Sequence, residues 1–337
     1  MYRSWSGSRR QVDAVLPEDE PDPHRSGFLL SGAMNSKQPL SQEPELWQAV
    51  GNTPVFLVPR SSSRGRLLLK AEWLNPGGSV KDRAARAILR DALCRGELPG
   101  RRLLDASSGN TGIAYAMLGA AAGIDVTICL PANASPERRA LLEVYGAEII
   151  LTDRLEGTEG ASARARELAV DQERYYFADQ YSNPANTQAH RETTGPEIWK
   201  QTEGKITHFV AAMGTTGTMM GTGGFLKDRN PDIRLIGVQP DSPYHGLEGL
   251  KHLATTAHPP ALYHPRLLDG VAEIATEVAD RTARQLARQG YLVGWSAGAA
   301  VAAALEIMEQ EPDACVVAIG CDTGVRYLSE PHRWAER

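Results

Sequence analysis

The stretch Arg101–Pro131, "RRLLDASSGNTGIAYAMLGAAAGIDVTICLP", decides the fold. Its opening "RRLLDA" reads as a short apolar strand and its closing "DVTICLP" as another. Between them "GIAYAMLGAAAG" is a helix of small and apolar residues that stops at Gly123. Strand, helix and strand in so short a span form a crossover between parallel strands. The alternation continues on both sides. "RLLLKAEW" is a strand, "VKDRAARAILRDALCRG" an amphipathic helix, "SPERRALLEVYG" a helix capped by Ser135 with Pro136 in its first turn, and "AEIILTD" a strand. After "SNPAN", near residue 185, it restarts. Helix "TGPEIWKQTEG", strands "ITHFVAAM" and "RLIGVQPD", helices "ADRTARQLARQG" and "LVGWSAGAAVAAALEIMEQ", and strand "CVVAIGCD" follow in turn. The pattern predicts an α/β protein with mostly parallel sheets and helices on both faces, in two doubly wound three-layer α/β domains.

A chain of 337 residues is long enough for two such domains, and its 32 glycines suit many tight strand-to-helix turns. The net charge of -5 and the scattered lysines and arginines point away from nucleic acid and anionic membranes, towards small-molecule substrates. With no membrane-length apolar run and no signal-type leader, the expectation is a soluble cytoplasmic protein. Cys94, Cys129, Cys315 and Cys321 lack metal-knuckle spacing and read as free thiols, and no metal is expected. Residues 1–46, rich in Ser, Arg, Pro and acids, read as a mostly disordered extension in which Met34 is a second candidate start, so residues 1–33 need not be in the native product.

Three strand-to-helix junctions are built from Gly, Ser and Thr: "SSGNTG" (107–112), "GTTGT" (214–218) and "SAGAA" (296–300). Such loops let a ligand approach the backbone, and a helix N-terminus offers amides to an anion. Neither of the first two has the spacing of a nucleoside triphosphate or dinucleotide loop. In "NPGGSVKDR" (75–83), Ser79 and Asp82 fit a capping pattern, which puts Lys81 in the first helical turn, at the end of the dipole where a cation is unfavourable. That position and desolvation favour the neutral amine that forms a Schiff base. Two anion cradles and one such lysine suit a phosphate-bearing aldehyde cofactor and a carboxylate-bearing amine.

"NPGGSVKDRA", "SSGNTGIA", "SNPAN…TTGPEIW", "GTTGT" and "GWSAGAAVAAAL" stand in the order and spacing of the cysteine synthase and cystathionine β-synthase family. From about Leu46 to Leu328 the chain resembles these fold type II pyridoxal-phosphate enzymes, whose fold is tryptophan synthase β-subunit-like. "GTTGT", "ASPERRALLEVYGAEIIL" and "CDTGVRYLS" look most like the B-type cysteine synthases. The resemblance implies pyridoxal 5'-phosphate in Schiff-base linkage to Lys81, which then moves the substrate α-proton. It implies that Asn110 meets the cofactor's phenolic oxygen, that Gly214, Thr215, Thr216, Gly217 and Thr218 hold its phosphate, and that Ser296 meets the ring nitrogen. Ser107, Ser108, Thr111 and Gln180 would bind the substrate carboxylate. An N-terminal domain at 74–184 and a C-terminal domain of 47–73 plus 185–330 follow from the same pattern, with a tail at 331–337 and a homodimer as the assembly. A serine acetyltransferase or a sulfur-carrier protein is a partner that the sequence does not decide.

The implied reaction is β-replacement: L-cysteine from O-acetylserine or O-phosphoserine and a sulfur donor, sulfide or thiosulfate, through an aminoacrylate. Cystathionine β-synthase is the nearest alternative, followed by a serine/threonine dehydratase and a non-catalytic binding protein of the same fold. Ala297 and Ser107 depart from the family's usual Ser and Thr, Ser107 keeping the hydroxyl. In "SPYHGLEGLKHL" (242–253), Lys251 is a candidate for contact with an anionic substrate, while His245 and His252 read as solvated loop residues. Arg138 and Arg139 likewise read as solvated, and Trp199 and Trp295 as packing residues.

Overall fold

"CVVAIG" is apolar at every position because both of its faces are covered: Val316 and Ala318 enter one core, Val317 and Ile319 another. "RLLLKA" behaves the same way, with Leu67 and Leu69 on one side and Leu68 on the other. Unbroken apolar runs of this length mark interior strands of a parallel sheet.

The computed structural model describes residues 43–59, 64–107, 109–256 and 258–335, all within one compact unit spanning 34–337. Its strands are β1 (Val55–Leu57), β2 (Arg66–Ala71), β3 (Arg102–Ala106), β4 (Val126–Pro131), β5 (Glu148–Thr152), β6 (Tyr175–Phe177), β7 (His208–Ala212), β8 (Arg234–Pro240), β9 (Gly270–Ile274) and β10 (Cys315–Gly320). They form a four-stranded sheet, β5-β4-β3-β6, and a six-stranded sheet, β1-β2-β10-β7-β8-β9. Every pairing is parallel except β1 with β2.

Each sheet winds outward in both directions from one point. From β3 the chain proceeds to β4 and β5 on one side, and β6 adds on the other; from β7 it proceeds to β8 and β9, and β10 adds on the other. Ligands of open α/β sheets bind beyond the carboxyl ends of strands at such reversals. Ser107 follows β3, Gln180 follows β6, Gly214 follows β7 and Asp322 follows β10, so all four loops belong to these two reversals.

The helices supply the covering layers. Asn110–Ala122 is buried at ten positions, and there is no room for a side chain at Gly119, where a Cβ would stand 2.7 Å from Val126. Trp295–Gln310 crosses helix Thr276–Arg288 as closely: a Cβ on Gly298 would lie 2.2 Å from the Ala279 carbonyl. The small residues are thus a condition of this packing. Leu103, Leu104 and Leu118 are fully buried, each contributing about 1.5–3 kcal/mol relative to exposure.

The helix carrying Lys81 is anchored differently from the sequence expectation. It spans Lys81–Cys94 with Val80 at its N-cap, and no side chain caps it. Ser79 Oγ accepts only the Lys81 amide, at 3.3 Å, while the Asp82 carboxylate turns back to accept the Gly77 amide at 2.5 Å. A tertiary demand from the "NPGG" turn has displaced the capping box. Arg83 joins a buried charge network. It donates to Glu72 from Nε (2.7 Å) and Nη2 (2.8 Å), and to Glu197 from Nη1 and Nη2 (both 2.7 Å); Lys70 reaches Glu197 at 2.6 Å. Burial would raise Glu72, but the Arg83 guanidinium overrides it and holds the carboxyl at about 2. This network ties the Lys81 helix to β2 and to helix Gly195–Gln201.

Residues 1–42 of the expected extension lie outside the described residues, as do Ser108 and the last two residues of the tail. Helix Glu45–Gln48 begins inside the segment expected to be disordered, because Trp47 is fully buried and donates from its indole to the Leu118 carbonyl. No helix among the described residues is long and apolar enough to cross a membrane.

Candidate active site

Lys81, Ser107, Asn110, Thr111, Gln180 and Thr215, which are remote in sequence, line one small cavity of about 50 Å³, together with Arg138, Tyr181, Glu248, Gly249 and Tyr327. The lysine opens its helix and is half-buried. The Ser107 loop is folded by its own hydroxyl: Oγ accepts the amides of Gly109 and Gly112, both at 3.0 Å. Thr111 donates its hydroxyl proton to Gln180 Oε1 at 2.7 Å, and Gln180 Nε2 donates to the Ala106 carbonyl at 2.8 Å. A carboxylate bound here takes the second Gln180 amide proton directly, and takes one from Thr111 only when that hydroxyl turns.

Asn110 is held in one orientation. Its Nδ2 donates to Asp322 Oδ2 at 2.7 Å, and its Oδ1 accepts from Arg326. Tyr327 donates to the same Asp322 oxygen at 2.5 Å. With its carbonyl oxygen committed to a guanidinium, Asn110 presents its remaining N–H as a donor. Asp322, Arg326 and Tyr327 all come from "CDTGVRYLS", a segment to which the sequence reading gave no individual roles.

At the second loop, Thr216 has a left-handed backbone (φ 67°) and a buried hydroxyl with no partner, at the cap of helix Gly217–Arg229. Thr215 Oγ1 accepts from Asn186 at 3.0 Å, and Thr218 Oγ1 lies 3.2 Å from His190 Nε2. Burial lowers His190 to about 3, so the imidazole behind this loop is neutral at physiological pH. An orphaned hydroxyl at the mouth of a helix N-terminus fits a phosphate, which would complete both. Gly214 tolerates no side chain, since a Cβ would sit 2.1 Å from the Gly249 carbonyl. The Lys251 amide donates to the Met213 carbonyl at 3.0 Å, so the 249–251 segment rests on this loop.

Of the sequence candidates, Gly214, Thr216, Gly217, Thr218, Ser296 and Lys251 do not line the small cavity. Ser296, in the first turn of helix Trp295–Gln310, is buried and hydrogen-bonds the Cys321 thiol, which burial raises to about 11. Lys251 lines an adjoining cavity of about 650 Å³, with its ammonium 5.1 Å from the centre of the Tyr181 ring, and burial lowers its pKa. The same outer cavity receives His245 and His252. Arg138 overturns the expectation of a solvated residue: it is 3% exposed, pairs with Glu248 and lies 5.0 Å over the Tyr327 ring. Arg139 donates to the Ala132 carbonyl. Trp295 is fully packed, against Tyr327 and Trp334. No cluster of His, Cys, Asp and Glu among the described residues could hold a metal ion.

A lysine at a helix start, sharing a cavity with two Gly- and hydroxyl-rich loops at the carboxyl ends of two mostly parallel sheets, is the arrangement expected of a fold type II pyridoxal-phosphate enzyme. The family described as pyridoxal-phosphate dependent enzyme matches residues 46–322. The chain is 46% identical over 292 residues to a cysteine synthase of Aquifex aeolicus, covering 83% of this chain and 89% of that protein. It is 44% identical over 288 residues to cysteine synthase B of Escherichia coli, covering 84% and 94%. The crystal structure of a cysteine synthase from Entamoeba histolytica superposes with a TM-score of 0.81 at 30% identity, covering 97% of this chain and 95% of that one. The chain belongs to the pyridoxal-phosphate dependent enzymes and, within them, to the cysteine synthases of B type.

Proposed function

We propose that the protein makes L-cysteine from an activated serine, O-acetylserine or O-phosphoserine, and sulfide, or S-sulfocysteine where thiosulfate is the sulfur donor. The observation that carries this reading is the convergence of Lys81, the Ser107–Gln180 pair of loops and the Thr215 loop on one cavity. Lys81 is the catalytic residue: its Nζ carries the cofactor and afterwards takes the α-proton of the substrate. Gly214, Thr215, Thr216, Gly217 and Thr218 hold the phosphate, with the unpartnered Thr216 hydroxyl as its most direct ligand. Asn110 donates to the phenolic oxygen, and Ser296 offers a hydroxyl to the ring nitrogen. Bound pyridoxal phosphate supplies the electron sink that makes the substrate α-proton acidic, and a hydroxyl at the ring nitrogen keeps that sink moderate. Ser107, Ser108, Thr111 and Gln180 receive the substrate carboxylate, which fixes the α-carbon beside Lys81. In the net reaction the Cβ–O bond breaks, the acetate or phosphate departs, and a Cβ–S bond forms. Lys251 acts in the outer cavity, where its charge draws an anionic substrate towards Tyr181.

We also place the protein in the cytoplasm as a homodimer. The four free cysteines suit a reducing compartment, and sedimentation at micromolar concentration tests the assembly. The experiment that tests the function is a matrix assay: O-acetylserine, O-phosphoserine and serine, each against sulfide, thiosulfate and homocysteine. Cysteine or S-sulfocysteine from an activated serine is the expected product. Turnover confined to homocysteine would make the protein a cystathionine synthase.

A further inference from the structure

Two hydroxyls meet one imidazole behind the Gly214–Thr218 loop. Thr194 Oγ1 lies 2.9 Å from His190 Nδ1, and Thr218 Oγ1 lies 3.2 Å from His190 Nε2. For each hydroxyl, His190 is the one hydrogen-bond partner among the described residues. The backbone holds the ring in place. Residues His190–Thr194 wind as a single π-helical turn between helix Pro184–Ala189 and helix Gly195–Gln201, a wide turn of the kind that recurs at functional sites. Helix Gly217–Arg229 lies hard against it: a Cβ on Gly221 would stand 2.1 Å from the Thr187 carbonyl oxygen and 2.8 Å from His190 Cβ. Arg83 fixes the same turn by donating to Thr193 Oγ1 at 2.9 Å, while the Thr193 hydroxyl donates to the Ala189 carbonyl at 2.6 Å.

A neutral imidazole has one N–H and one bare nitrogen, so it donates to one of these hydroxyls and accepts from the other. His190 is neutral at physiological pH, because burial lowers it to about 3. The two arrangements are not equivalent. With the proton on Nδ1 the ring donates to Thr194, whose own hydroxyl proton is left without an acceptor in a residue that solvent does not reach (0% exposed). An unpaired buried donor costs about 1–3 kcal/mol. With the proton on Nε2, Thr194 donates to Nδ1 and is satisfied, and the ring donates to Thr218. The hydroxyl proton then released is that of Thr218, which is only half-buried. Thr218 stands in the first turn of helix Gly217–Arg229, close to the unpartnered Thr216 hydroxyl, where the helix also offers its amides to an anion.

We propose that His190 is a positioning residue, fixed as the Nε2–H tautomer by Thr194, that turns the Thr218 hydroxyl proton towards the cofactor phosphate. The proposal rests on the function given above and adds to the phosphate site a residue that acts through Thr218 without touching the ligand. Because the buried Thr194 sets the tautomer, the loop is a hydrogen-bond donor before any anion arrives.

The test follows the His190 ring nitrogens by 15N NMR, assigned by through-bond correlation to the backbone, in wild-type protein with pyridoxal phosphate bound and after its removal. A protonated Nε2 and a bare Nδ1 are expected in both states; a protonated Nδ1 in either would overturn the proposal. Pyridoxal phosphate affinity by equilibrium dialysis is the second readout. His190→Asn carries its amide only as far as the Nδ1 position and leaves Thr218 undirected, so affinity should fall about tenfold, the worth of one hydrogen bond to a charged group. His190→Gln, whose amide reaches the Nε2 position and donates there, should restore most of it. Thr218→Val should cost as much as His190→Asn, and the double variant no more than either alone. Additive losses, or equal losses from Asn and Gln, would make His190 a packing residue and overturn the proposal. The tautomer is read in the wild type, so it decides even where a variant does not fold. Protein that takes up no pyridoxal phosphate would refute the proposed function, whereas the tautomer, read without the cofactor, still upholds or overturns this inference.

Discussion

Replacing Arg83 by Met removes a guanidinium that answers two carboxylates and keeps nearly the same volume. Glu72, fully buried, is held at about 2 against an ordinary 4.5. At about 1.4 kcal/mol for each unit of pKa, that fall corresponds to about 3 kcal/mol of stability at neutral pH. Glu197 loses its two bonds as well, although Lys70 remains at 2.6 Å. A loss of about 3–5 kcal/mol is therefore expected, the range found when one partner of a buried pair is removed. The assay is urea unfolding of wild type and Arg83→Met across pH. Because Glu72 is depressed in the fold, its contribution is fully present above pH 4.5 and disappears as pH falls towards 2. The gap between the two proteins should be widest at pH 7 and narrow below pH 4.5. A gap under 1 kcal/mol at pH 7, or one independent of pH, would refute the assignment of this network as the anchor of the Lys81 helix.

Thr216→Val deletes the orphaned hydroxyl. Cofactor affinity should fall about tenfold by equilibrium dialysis while the cofactor-free protein keeps its melting temperature; equal affinity would remove Thr216 from the phosphate site. Lys251→Ala should raise the KM for anionic sulfur donors such as thiosulfate more than for O-acetylserine, and an unchanged ratio removes Lys251 from the account. His190 stays neutral in the fold down to about pH 3, whereas an unfolded histidine protonates near 6.5. Acidification across that window therefore destabilises the protein by about 1.4 kcal/mol per pH unit through this group. His190→Gln should flatten the slope, and superimposable pH profiles would contradict the assignment.

The alternation of strands and helices was legible because each element repeats locally: β10 is apolar throughout, and the helix after Asn110 is filled with small residues that let it lie against β4. The loops at 107–112 and 214–218 were legible because glycine and hydroxyl residues cluster at helix starts. What escaped depends on partners remote in the chain. Asp82 looked like a cap and instead serves the Gly77 amide. Arg138 looked exposed in a polar helix turn, yet its neighbours Glu248 and Tyr327 arrive from other segments, and no local pattern announces either contact. Lys251, read as a site candidate, lines the outer cavity, whereas Glu248 and Gly249 of the same loop line the small cavity with Lys81. Propensity reads the scaffold, whereas tertiary electrostatics selects which charged residues enter the site.

The central claim is that Lys81 bears pyridoxal phosphate. Reduction of the purified protein with borohydride, followed by proteolysis and mass spectrometry, tests it most directly. A phosphopyridoxyl group on the peptide containing Lys81, with loss of the visible absorbance, is the predicted result. The modification on another lysine, or protein that takes up no added pyridoxal phosphate, would contradict it.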